Sequence, residues 1–135
     1  MLFISSDAEA RRWWFEALAG RGHDAVALTP GLDALLMATT QLNAIVVDIQ
    51  HVFDWQHFRV LGQEKPQLTA PLIVMTSWKA PEQAWRRIAL AMGCDALLEK
   101  PCSVGSLLDV VCRLAAGERD IEVRATCGGP SANVL

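Results

Sequence analysis

AIVVDI (44–49) and ALLEKP (96–101) decide how this chain folds. Each is an unbroken apolar run of strand length that ends in charge. Strands with one wet face alternate apolar and polar residues, so unbroken runs indicate strands covered on both faces. LFIS (2–5), AVAL (25–28) and PLIVMTS (71–77) read the same way. Between these runs the apolar period lengthens to that of a helix. Residues 6–20 place Trp14 and Leu18 four apart, with Arg11 one turn earlier. Ser6 and Glu9 have the S-x-x-E spacing of a capping box, and Gly20 or Gly22 can end that helix. LDALLMATTQL (32–42) is predicted helical with Leu35, Leu36 and Thr39 toward one side. A helix is predicted around Trp55 to Gln63, ended by Lys65-Pro66. PEQAWRRIALAMG (81–93) has Pro81 in its first turn and Gly93 at its C-cap. SVGSLLDVVCRLAAG (103–117) turns Leu107, Val110, Val111 and Leu114 inward.

Strand and helix alternate five times, which predicts an α/β fold: a flavodoxin-like, doubly wound (βα)5 unit with a five-stranded parallel sheet. Residues 1–116 form this domain, and 117–135, with Gly128-Gly129-Pro130, are predicted to be a flexible C-terminal tail. A chain of 135 residues suits one domain. It is 52% hydrophobic and 20% charged, which excludes a disordered chain. A net charge of -3 without a Lys/Arg run offers nothing general to nucleic acid or an anionic membrane. No apolar run approaches the ~20 residues that cross a bilayer, and no signal peptide is seen, so a cytoplasmic protein is expected. Cys94, Cys102, Cys112 and Cys127 lack C-x-x-C spacing and read as free thiols. His51, His57 and the intervening Asp54 follow no metal-ligand frame and read as solvated loop residues, as does His23.

Ligands of doubly wound sheets bind beyond the carboxyl ends of the strands, at the topological switch point. Those ends carry Ser5-Ser6-Asp7, Leu28, Asp48, Thr76-Ser77 and Lys100-Pro101. An acid at the end of a buried strand needs a partner, and Lys100 is the natural one. This pairing is either purely structural or the remnant of a reactive pocket.

From Leu2 to about Ala116 the sequence resembles the receiver domain of bacterial two-component response regulators. The matching stretches are R-x-x-x-x-x-x-L at Arg11 and Leu18, G-x-x-A-V at Gly22, and G-x-x-A-L at Gly31. VVD ending at Asp48, PLIVMTS ending at Ser77, and A-x-G-x-D-A-x-L-x-K-P from Ala91 to Pro101 complete the match. The resemblance implies that Asp48 is the phosphoacceptor, that Thr76 is the switch hydroxyl, and that Lys100 contacts the phosphoryl group. A carboxylate attacking a phosphohistidine forms an acyl phosphate, while a lysine and a divalent cation stabilise the transferred charge. The implied partners are a sensor histidine kinase or phosphotransfer protein and a downstream protein. The fourth helix, fifth strand and fifth helix would be the partner or homodimer face, with Trp85 and Leu97 as interface residues.

The sequence departs from the family pattern at the metal. Two acids that bind magnesium are replaced by Ser5 and Ser6, which bring no charge. Mg2+ binding is therefore expected to be weakened, with Asp7 and Asp48 as the remaining candidate ligands. DIQHVFDWQHF (48–58) lacks the family's Met-Pro and Asp-Gly pairs, and Leu97 replaces the aromatic residue three positions before the lysine. Two signalling readings follow: an atypical receiver with output by protein–protein contact, or a pseudo-receiver that binds without phosphorylation. An aspartyl-nucleophile phosphatase is the remote third. It wants D-x-D, but Asp48 is followed by Ile49-Gln50.

Overall fold

The computed structural model describes residues 1–49, 59, 63, 68, 70–76, 89–90 and 93–125. Its strands are β1 (Leu2–Ser5), β2 (Val26–Leu28), β3 (Ile45–Asp48), β4 (Leu72–Thr76), β5 (Ala96–Glu99) and β6 (Ile121–Val123). The described helices are α1 (Ala8–Gly20), α2 (Leu32–Ala38) and α3 (Val104–Ala115). The strands form one sheet in the order β2-β1-β3-β4-β5-β6, with every neighbouring pair parallel. The chain winds outward from β1 to β2, then returns to the other side of β1 to lay down β3. The switch point therefore falls between β1 and β3, whose last residues, Ser5 and Asp48, are register partners.

Alternate strand residues feed two cores, one on each face of the sheet. Phe3, Val46, Met75 and Leu98 meet Trp14 and Leu18 of α1 and Leu107, Val110, Val111 and Leu114 of α3. Leu2, Ile4, Ile45, Val47, Val74 and Leu97 meet Ala34 and Ala38 of α2. The unbroken apolar runs are thus explained: both faces of β1, β3 and β4 are buried along their whole length. Trp14 stacks on Phe3 with ring centroids 5.7 Å apart, and the partly buried Trp13 meets Trp14 edge-on. The predicted inner face of residues 103–117 is the observed one. Gly22 and Gly93 adopt φ of +81°, the left-handed turn expected where a helix stops.

Several expectations are corrected. The sheet has six strands rather than five, and β6 lies inside the segment expected to be a loose tail. It pairs in parallel with β5 and is held there because Ile121 is buried against the α1–α3 core. Arg119 reaches Asp95 at 3.6 Å, and the Ala125 N–H donates to Glu99 Oε2 at 3.3 Å. Asp7, not Ser6, caps α1, with its Oδ1 accepting from the Glu9 N–H at 2.9 Å. Ser5 completes β1, so the helix starts one residue later than the S-x-x-E spacing implied. α2 ends at Ala38, and its buried side is Ala34 and Ala38, whereas Leu32 and Leu36 are exposed. Small residues let this helix lie close on the sheet, which turns the larger leucines outward. The helices predicted around 55–63 and over 81–93 lie mostly outside the described residues, as do His51, Asp54, His57, Trp85 and Cys127.

Candidate functional site

Four strand ends converge on one corner. Ser5 closes β1, Asp48 closes β3, Thr76 closes β4, and Lys100 follows β5. Asp48 is 2% exposed, Ser5 0% and Thr76 4%, the three buried polar residues among those described. Lys100 Nζ donates to Asp48 Oδ1 at 2.6 Å and to the Ile49 carbonyl at 3.0 Å. Ser5 Oγ donates to Asp48 Oδ2 at 2.8 Å and accepts from the Asp7 N–H at 3.1 Å. Each carboxylate oxygen therefore has its own donor. The carboxylate and the ammonium cancel, which is how a charge at this depth is tolerated.

Backbone contacts hold these side chains in place. The Lys100 N–H donates to the Thr76 carbonyl at 2.8 Å, and the Ile49 N–H to the Met75 carbonyl at 2.8 Å. Arg11 reaches back from α1, its Nη1 donating to the Ser5 carbonyl at 2.8 Å. The Lys100-Pro101 peptide is cis. The next residue, Cys102, is buried beside the pair. Burial pushes its thiol up to about 12, with Lys100 acting against this shift and Asp48 with it.

The structure brings Asp48, Lys100 and Ser5 into direct contact and joins Thr76 to Lys100 through the backbone. Ser6 is exposed. Leu97 is 0% exposed and packs in the core on the α2 face, so its expected interface role is corrected: it has no side-chain surface to offer. Sequence reasoning treated Ser5 as a lost metal ligand and missed its bond to Asp48. The signal was there, because Ser5 and Asp48 both end strands that flank the switch point.

The described residues of this corner do not fit a magnesium ion. Magnesium wants an octahedron of oxygens with carboxylate charge. Asp48 is the only carboxylate in the Ser5–Asp48–Lys100 cluster, and Lys100 already neutralises it. Ser5 spends its proton on Asp48 and a lone pair on Asp7 N–H. The Asp7 carboxylate is exposed and turned to the helix terminus. Among the described residues no three His, Cys, Asp or Glu side chains converge as a metal site.

No family model and no curated protein matches the sequence. The structure does find matches. The chemotaxis response regulator CheY4 of Vibrio cholerae superposes with a TM-score of 0.66 at 19% identity, covering 84% of this chain and 95% of that one. The same protein crystallised at low pH gives 0.67 at 19% identity, covering 83% and 94%. The chain has the fold of a response-regulator receiver. A receiver-type fold also accounts for the site's position, since the Asp48 corner lies at the carboxyl ends of the strands beside the switch point. The sixth strand sets a boundary on that likeness: β5 is interior to the sheet here, with β6 along its outer edge. No described helix is long and apolar enough to cross a membrane.

Proposed function

We propose that this chain is a receiver-type module of two-component signalling that acts by protein–protein contact, with an Asp48 corner held in one state from within. The observation that carries this reading is that both oxygens of the buried Asp48 carboxylate are already engaged, by Ser5 and by Lys100. To attack a phosphoryl group, Asp48 must use an oxygen that already accepts one of these bonds, with Lys100 drawing on its charge. The module works in the cytoplasm and is not an enzyme. The phosphatase reading fails on the missing second acid after Asp48. Its downstream partner is a protein. A homodimer contact through the face of the fourth helix, fifth strand and fifth helix would have β6 along the edge of the fifth strand.

A second reading keeps Asp48 as a phosphoacceptor for a histidine kinase or phosphotransfer protein, with Thr76 as switch hydroxyl. What favours it is Lys100, whose ammonium already stands 2.6 Å from the carboxylate, where a transferred phosphoryl group would need a counter-charge. Incubation with acetyl phosphate and Mg2+, followed by intact-mass measurement, separates the two. The proposal expects no adduct and no amide shifts with beryllofluoride. Stoichiometric modification that disappears in Asp48→Asn would overturn it in favour of the second reading.

A further inference from the structure

The other end of the sheet carries an unused surface. β2 is the terminal strand, and among the described residues nothing pairs its outer edge. Val26 N–H donates to the Met1 carbonyl, so its backbone faces β1. Successive strand residues turn their backbone groups to opposite sides, which points the N–H and C=O of Ala27 out of the sheet. Beside this edge lies an open groove of about 440 Å³ between α1 and β2, lined by Arg11, Arg12, Phe15, Ala25, Val26 and Ala27. Its shape follows from the sequence. Ala25 and Ala27 face α1 and are too small to fill the space beneath Phe15, which stays 44% exposed. Val26 is also exposed, at 38%. The lining thus offers an aromatic wall, a floor of methyl groups, two guanidinium groups and no carboxylate. Arg11 is fixed in place through Nη1 on the Ser5 carbonyl, while Arg12 is exposed.

We propose that this groove docks an extended segment of a protein partner that carries an apolar residue flanked by acidic ones. The segment adds a strand along β2 through Ala27, places its apolar side chain beneath Phe15, and sets its carboxylates against Arg11 and Arg12. Main-chain pairing supplies affinity in such strand addition, and the pocket and charges supply selectivity. The charge of the lining is what selects an acidic partner over a second copy of this chain, whose own β2 edge would bring two more guanidinium groups to the contact.

The probe is the capped peptide Glu-Asp-Val-Leu-Val-Asp-Glu, with a control in which lysines replace the acids, each titrated into the full chain and followed by amide-resolved NMR. The acidic peptide is expected to shift Phe15 and residues 25–27 saturably and to slow exchange of the Ala27 amide. Arg12→Glu, with an otherwise unchanged spectrum, should weaken binding by about tenfold or more, the scale of a like charge brought to a rim contact. Three results would overturn the proposal: equal binding of the lysine peptide, no saturable shift at β2 by about 1 mM peptide, or sedimentation showing that the chain pairs with itself through this edge.

Discussion

Lys100→Met deletes the ammonium and keeps the length of the side chain, which isolates the charge that neutralises Asp48. The folded variant must hold a carboxylate that is 2% exposed with Ser5 Oγ as its remaining side-chain donor among the contacts described above. The unfolded chain hydrates that carboxylate fully. Removing one partner of a buried pair costs about 3–5 kcal/mol. The Lys100 side chain is 14% exposed, so water reaches part of the vacated space, and the expected loss is toward the lower end, about 3 kcal/mol. Domains of this size are stable by only about 5–15 kcal/mol, so the change is large. With a urea m-value of about 1.5 kcal/mol/M, the midpoint should fall by about 2 M. Ser5→Ala removes a hydrogen bond to a charged group and the acceptor of the Asp7 N–H, and should cost about 1.5–3 kcal/mol. The double variant Asp48→Leu/Lys100→Met removes both charges and should recover much of the loss. Urea unfolding followed by tryptophan fluorescence, with circular dichroism as a second probe, measures all four proteins. A Lys100→Met unfolding free energy within about 1 kcal/mol of wild type would refute the reasoning, because it would mean that the pair is solvated and locks nothing.

Ser5→Asp places a second carboxylate against Asp48, and the variant should be less stable than wild type in metal-free buffer and regain stability as Mg2+ is added, read as thermal midpoints with and without chelator. Cys112 is exposed whereas Cys94 and Cys102 are buried, so site-resolved mass spectrometry after brief iodoacetamide treatment at neutral pH should find Cys112 labelled and the other two protected. Because the Cys102 thiol is raised in the fold from 9.0 to about 12, its protonated form contributes stability that is complete below the lower value and is lost as pH rises toward the upper one. Cys102→Ala should flatten that alkaline loss in unfolding measurements. Ile121→Asp puts a charge at a position 4% exposed and should detach β6, seen as fast amide exchange along the outer edge of β5, whereas Glu122→Lys should leave that edge protected.

How much of this was legible in the sequence varied with how completely each element is buried. β1, β3, β4 and β5 could be read because burial on both faces leaves an unbroken apolar signature. β6 was missed for the opposite reason. Only Ile121 of its three residues is buried, and Glu122 is exposed, so the run is too short and too charged to stand out from a tail. In α2, LDALLMA is apolar nearly all round and its periodicity names no face; packing distance chose the alanines. At the β1–α1 corner, three consecutive residues able to cap made the helix start ambiguous. Strand register resolved it by drawing Ser5 into the sheet beside Asp48 and leaving Asp7 for the helix. The pairing of Asp48 with Lys100 was legible because a buried acid must find a cation, and only one stood among the predicted strand ends.

Ser5 gives Asp48 an uncharged hydrogen-bonding neighbour. An acid in its place would stand against Asp48, and two like charges about 4 Å apart repel by about 4 kcal/mol at an effective dielectric near 20. One lysine cannot neutralise both, so a paired-acid corner depends on a bound cation for its stability as well as for any chemistry. The serine removes that dependence. Its hydroxyl donates to Asp48 Oδ2, and its lone pair receives the Asp7 N–H at the start of α1. The same side chain therefore neutralises a need of the sheet and anchors the helix that follows. Arg11, one turn along that helix, returns to the Ser5 carbonyl and lines the groove at β2.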